Sequence, residues 1–597
     1  MEYKTRNEVP NEFKWDLSKM YNDSKEIDKD IEEVKSLTQE ILKYKSHILD
    51  SSNSLYEFLK LTEKQDRILT KLYVYSKMNL DVDTKNNTNK ALKMKIEKLS
   101  ESLNEEFSFI EPEMMNGSYE KVKEYIKEND NLKEYNFYLE DFYRFKPHSL
   151  SQIEEDIYVK AMNAFGNCSE VFTNINNTDI NLGYVKDEED NDVKLSSSNY
   201  IVFMKSKDRH VRESAFKAMY NYYKSLKNTL AASYVGQIKE SAFSTNVKKY
   251  NSSLEKSLFS DNIDIGVYKT LIDTIHSNMN LMYDYMDVRK KLLGLNELHM
   301  YDIYVDLIES NNDKIEFEKG KEILFEALKP LGDKYLNDLK KAFDEKWIDI
   351  YPSDGKRSGA YSWGCYDSYP YLLLNYNDTV DAVSTMGHEL GHSMHSYYSH
   401  KNQSYVDSQY PIFLAEIAST VNEVLINDYL YKNAKTKEDK IFYLTDFLES
   451  VRTTIYRQTM FAEFEMIMHE KEQNGIPITE EELSNTYYDL NKLYYGNNVI
   501  SDDEIRYEWS RIPHFYTPFY VYKYATGLSS ALSIASRILD GDEKTKENYL
   551  EFLKSGGNNY PLEILKKVDV DMTTSKPIEE ALSMFNDKLN ELKELIK

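Results

Sequence analysis

The sequence predicts a mainly α-helical fold with one small β element beside its most chemically loaded segment. Three observations carry this reading. Punctuation is sparse, with 12 prolines and 19 glycines in 597 residues, so long helices run uninterrupted. Apolar residues recur at helical spacing between charges through most of the chain. The stretch richest in glycine and aromatics, residues 350–379, comes just before a cluster of histidines.

Taken in chain order, DIEEVKSLTQEILKYKSHIL (30–49) and EKQDRILTKLYVYSKMNLD (63–81) place apolar residues three and four apart and read as amphipathic helices. The polar, turn-rich segment 177–204 reads as a short hairpin between two helical parts. YLLLNY (371–376), bounded by Pro370 and Asn377–Asp378, is an apolar run of strand length, buried or at a sheet edge. Asp378 or Thr379 then caps a helix, with Asp381 in the first turn where a negative charge suits the helix dipole. Pro411 suits the start of a second helix, with Phe413, Ile417 and Val421 as its packing stripe. No repeat of fixed period and no low-complexity segment is evident.

Composition narrows the function. Hydrophobic residues make up 41% and aromatics 13% of the chain, which excludes disorder. A net charge of −26 with no dense Lys/Arg block argues against nucleic acid and against anionic membranes. No run approaches the roughly 18 apolar residues of a membrane span. The first residues, MEYKTRNEVPNEFKWDLSKMY, are charged throughout and show no secretory pattern. The two cysteines, Cys168 and Cys365, are far apart, and a reduced, cytoplasmic setting is expected, with both thiols structural.

MGHELGHSMHSYYS (386–399) spends three of eleven histidines within eight residues. On a helix, with His388 at zero, His392 falls at about +40° and His395 at about −20°, so the three share a stripe. Val383, Met386, Leu390, Met394 and Tyr397 lie on the opposite side, and Glu389 flanks the histidines at about 100°. Imidazoles at i and i+4 converge on one Zn²⁺, and a carboxylate beside them that is not a ligand takes the proton of the water it activates. Chance yields such an HExxH pattern in about 2% of chains of this composition.

A third protein ligand leaves one position open for water. His395 lies about 10.5 Å along the axis from His388, too far to join both on a straight helix, and reads as a supporting or cleft-lining residue, with a ligand role the weaker alternative. Glu416 in PIFLAEIASTVNEVL (411–425) is the better candidate, because apolar neighbours on both sides carry it inward. Glu423, seven residues on along the same face, reads either as a group that orients a zinc-bound imidazole or as a solvated surface acid.

HELGHSMH with FLAEIAST downstream resembles the M3 zinc metallopeptidases, the thimet oligopeptidase family, and most closely its bacterial oligoendopeptidase F branch. KWDLSKMY, YRFKPHSLSQIEEDI, SKDRHVRESAFKAMYNYY, GKRSGAYSWGCYDSYPYLLLNY, YRQTMFAEFE and RIPHFYTPFYVYKYATG extend the likeness over nearly the whole chain. The resemblance implies two helical halves enclosing a deep substrate channel with zinc on its floor. It implies an N-terminal helical region over 1–110, an oligoendopeptidase F-type domain over 111–190 and a catalytic domain over 195–590. It makes His388, His392 and Glu416 the ligands of one zinc ion per chain, Glu389 the general base, Tyr522 the oxyanion-binding tyrosine and His514 a substrate contact. Short peptides are the implied substrates, cut internally. Phe519 stands where the animal enzymes have a further tyrosine, and the likeness gives no role to Tyr516 or Tyr520. An exopeptidase would need a group that grips a free terminus, and none is identifiable. A non-enzymatic helical peptide-binding protein would have no use for the complete ligand and base set.

Overall fold

In a computed structural model of the chain, which describes residues 3–308 and 314–597, helices dominate and the strands are two or three residues long. The chain forms two compact units, each assembled from three separate segments: 1–149, 312–429 and 534–570 in the first, 150–311, 430–533 and 571–597 in the second. Among the described residues no helix is long and apolar enough to cross a membrane.

The first unit opens on the two helices that the N-terminal periodicity predicts. Asp23 caps Ser24–Ile41 by accepting from the Lys25 and Glu26 N–H groups, and Ser51 caps Ser52–Asp81 through the Ser54 N–H. Ile27, Ile31, Val34, Leu37 and Ile41 form the buried stripe of the first helix. Ile41 continues into a core with Leu55, Phe58, Val122, Leu132 and Leu139.

The same unit holds a three-stranded sheet. With strands numbered along the chain, β1 (Tyr184–Lys186) and β2 (Asp192–Lys194) form the hairpin read from segment 177–204, which lies in the second unit. β3 (Leu298–His299) has a short parallel partner at Val499–Ile500. β4 (Ile348–Asp349), β5 (Tyr361–Trp363) and β6 (Tyr371–Leu373) make the sheet of the first unit. β6 lies in the middle, parallel to β4 and antiparallel to β5, and is buried along its length. The YLLLNY run therefore supplies a central strand of three residues rather than an edge. The edge next to the histidine helix is β5, which the Ser362 Oγ–Ser393 Oγ hydrogen bond (2.7 Å) ties to that helix.

Two buried ion networks organise the second unit. Glu449 accepts from Arg289 (2.8 Å), Arg452 (2.7 Å) and the Tyr285 hydroxyl (2.6 Å). Glu508, 3% exposed, accepts from Arg457 (2.7 Å), Arg511 (3.2 Å) and the hydroxyls of Tyr487 and Tyr220. Burial alone would raise both carboxyls, but the paired guanidinium groups bring each down to about 2. A carboxyl depressed on folding contributes stability above its unfolded pKa, about 4.3 for Glu, and loses it as pH falls towards the folded value. The urea midpoint should therefore fall steeply between about pH 4.5 and pH 2. Glu508→Gln, which leaves two guanidinium groups without their shared anion, should cost about 3 kcal/mol at pH 7. Urea titration followed by circular dichroism checks both.

Candidate metal centre

The histidine helix spans Val380–Asn402, capped by Thr379, whose Oγ1 accepts from the Ala382 N–H at 3.1 Å. Val383, Met386, Leu390 and Met394 are fully buried on the face opposite His388 and His392. The second helix, Ile412–Asn433, begins next to Pro411. The two helices nearly touch at Gly391, where a Cβ would stand 2.5 Å from the Ser419 Cα and 2.6 Å from the Ala418 carbonyl oxygen. Gly387 allows a similar approach by Ile426, and Asn422 donates to the Gly387 carbonyl at 2.9 Å. No side chain fits between the backbones there, and the short crossing distance carries Glu416 over to the histidines.

The result is a compact three-atom set. His388 Nε2 and His392 Nε2 are 3.2 Å apart, and Glu416 Oε2 is 3.4 Å from each. The edge of a tetrahedron built on ligand bonds of about 2.0–2.2 Å is about 3.3–3.6 Å, so the donor set of two nitrogens and one oxygen has the size and chemistry of a zinc site. His388, His392 and Glu416 are the group of potential ligands that converges among the described residues. His388 Nδ1 faces Glu423 Oε1 at 3.0 Å, which turns the Nε2 atom inward. Ser419, fully buried, donates to Glu416 Oε2 at 3.1 Å and steadies the carboxylate. Burial works to lower the His388 pKa, but hydrogen bonds to Glu416 and Glu423 prevail and raise it to about 10. Glu416 is held well below the usual carboxylate range by His388 and His392. The local field thus favours positive charge at this point.

Glu389 is 8% exposed and lines a cavity of about 530 Å³ together with His388, Gly359, Ala360, Leu374 and Glu423. Burial raises its pKa, opposed by the nearby imidazoles and by the Ser362 backbone N–H. His395 stands apart from the three ligand atoms. Its ring lies flat on Tyr410, centroids 3.7 Å apart and planes 4° from parallel, and burial lowers its pKa to about 3. It is a buried group packed between Tyr410 and Phe552. Cys168 and Cys365 are both free thiols, and burial raises each.

Tyr522 and His514 belong to the second unit. Tyr522 opens the helix Tyr522–Leu539, is 1% exposed and packs on Tyr268, with ring centroids 5.2 Å apart. His514 is half-buried, its Nε2 lies 3.2 Å from the Tyr524 hydroxyl, and Tyr520 stacks on its ring and meets Tyr524 edge-on. Burial, aided by Arg457, lowers the His514 pKa. Tyr516 is a packing residue, stacked on Phe172 at 4.4 Å and bonded to Ser233. Sequence reasoning missed Gly391 and Ser419. A glycine inside a long helix next to the first histidine pair was a signal for the former, whereas nothing marked Ser419 among the chain's other serines.

Residues 202–584 match the model of peptidase family M3, and residues 113–181 match the oligopeptidase F model. Oligopeptidase PepF of Bacillus subtilis is 40% identical over 99% of this chain and 88% of its own length. An oligoendopeptidase F homolog of Lactococcus lactis subsp. lactis is 38% identical over 100% of this chain and 99% of its own. Among solved structures, a candidate peptidase from Chlamydophila abortus superposes with a TM-score of 0.95 at 38% identity, covering 99% of this chain and all of that one. Oligoendopeptidase-F from Enterococcus faecium gives 0.74 at 34% identity, covering 96% and 99%. With two thirds of the chain inside one family model and full-length relatives well above 30% identity, the chain belongs to peptidase family M3.

Proposed function

We propose that this peptidase is a cytoplasmic zinc endopeptidase that hydrolyses internal bonds of short oligopeptides, with one ion per chain held by His388, His392 and Glu416. The observation that carries the reading is the triangle of ligand atoms, 3.2 and 3.4 Å on a side, with Glu389 one residue from the first histidine. When bound, zinc supplies Lewis acidity, bringing an attacking water's pKa to about 7 and drawing charge from the scissile carbonyl.

The chain's own residues do the rest. Glu423 fixes the His388 ring through Nδ1. Glu389 takes the proton of the attacking water as the C–O bond forms, then returns it to the amide nitrogen as the C–N bond breaks. Its burial holds its pKa above the usual carboxylate range, which suits a group that must both accept and release a proton. β5, which pairs with a strand on one side only among the described residues, offers backbone groups to an extended peptide, a mode of recognition that reads main chain rather than side chain. A tyrosine from the 514–524 segment stabilises the oxyanion, and His514 contacts the substrate. Tyr522 is the tyrosine the family likeness names. The hydrogen bond between His514 and Tyr524, both half-buried, favours a second reading in which Tyr524 is the donor. The regions 1–110, 111–190 and 195–590 serve in this reading as helical N-terminal region, oligoendopeptidase F-type domain and catalytic domain.

Glu389→Gln should retain one zinc per chain by elemental analysis while turnover falls about 10³-fold; a variant that cleaves at the parent rate removes the general-base assignment. A ten-residue peptide blocked at both ends should give internal fragments by mass spectrometry, whereas an intact peptide would favour an exopeptidase. Of Tyr522→Phe and Tyr524→Phe, the one that removes the oxyanion donor should lower kcat about 10²-fold or more with the other near parent activity.

A further inference from the structure

The second unit contains a fully buried carboxyl that the chemistry above does not use. Glu465 is 0% exposed, on the helix Arg457–Gln473, and its Oε1 accepts the Phe519 backbone N–H at 3.1 Å. Phe519 has φ of +59°, a left-handed conformation that is strained for a bulky L residue and persists only where its surroundings impose it. The surroundings do. Its ring is 1% exposed, lies 4.6 Å from the His469 ring, one turn beyond Glu465, and meets Tyr268 edge-on at 5.8 Å. On either side the chain is pinned again, by the Ser257 hydroxyl on the Pro518 carbonyl (3.0 Å) and by the Lys523–Asp261 ion pair (2.7 Å).

The turn at Phe519 stands between His514 and the tyrosines Tyr520, Tyr522 and Tyr524, and across it the Tyr520 ring stacks on that of His514 with centroids 6.4 Å apart. We propose that Glu465 is a positioning residue for the peptidase reaction: by accepting the Phe519 N–H it locks the turn that presents His514 and the Tyr520–Tyr524 phenols to substrate. This rests on the proposed role of that segment. Two further facts fit. Burial pushes the Glu465 carboxyl far above the ordinary range, so it is a neutral acid whose carbonyl oxygen is the useful atom. Among the described residues, its other oxygen and both nitrogens of His469, which burial holds neutral, have no hydrogen-bond partner. This corner therefore keeps polar groups in an apolar setting for a single backbone contact.

The test uses full-length enzyme carrying one ¹⁹F-labelled tyrosine at position 520. Glu465→Leu should shift or broaden the fluorine signal and lower kcat about ten- to a hundredfold, with KM within about threefold. Glu465→Gln, which keeps a neutral carbonyl acceptor, should restore both, and the thermal midpoint of each variant reports folding. An unchanged fluorine signal in Glu465→Leu overturns the positioning role alone. A shifted signal with unchanged kcat overturns the catalytic role of the segment instead. Loss of activity in Glu465→Gln with its fluorine signal intact would make Glu465 an ionised participant and also overturn the proposal.

Discussion

The centre depends on the distance between two helix backbones. Imidazoles four residues apart on a helix are common and by themselves hold an ion by two bonds. The third ligand must come from elsewhere in the chain, and the reach of a glutamate side chain is short. Gly391 opens against the Ala418–Ser419 backbone with no room for a methyl group, and this contact sets how far the Glu416 carboxylate must extend. Glycine costs helix stability, of order 1 kcal/mol relative to alanine, and the close crossing it permits is the return. The surrounding apolar face, with Val383, Met386, Leu390 and Met394 fully buried, keeps the two helices from sliding. Glu423 and Ser419 then settle ring orientation and carboxylate rotamer.

The second unit solves a related problem with different means. Its charged groups are buried in networks in which one carboxylate answers two guanidinium groups. Such networks add little net stability but penalise any packing that separates the partners. They fix the helix Arg457–Gln473, which donates Arg457 to one network and Glu465 to the turn at Phe519. The segment from His514 to Tyr524 is thus held by interactions made within its own unit.

Much of this was legible in the sequence because the relevant signals are local. The cap at Thr379 and the face of the histidine helix follow from 100° periodicity and neighbouring apolar residues, whereas Glu416 reaches the histidines with its side chain still 49% exposed rather than drawn inside by its apolar neighbours. The hairpin at β1–β2 was marked by turn chemistry. What stayed open needed tertiary information. YLLLNY has the composition of a strand, buried or at an edge, and its central position between β4 and β5 is set by segments eight or more residues away in sequence. His395 shares the stripe of His388 and His392, and axial distance already sets it apart as a ligand, but its stacking on Tyr410 could not be read from the stripe. Glu465 reads as one more acid in a helical stretch rich in them, and its burial depends on Phe519, 54 residues later. The division into two units, each drawn from three segments, has no local signature.

The side chains of His388 and His392 are 26% and 18% exposed, whereas that of Glu416 is 49% exposed. Both nitrogens are fixed on one rigid helical face, so the carboxylate is the member of the set that water reaches most readily. A competing chelator or a second cation would meet the centre on that flank, and the oxygen would be the first bond to let go.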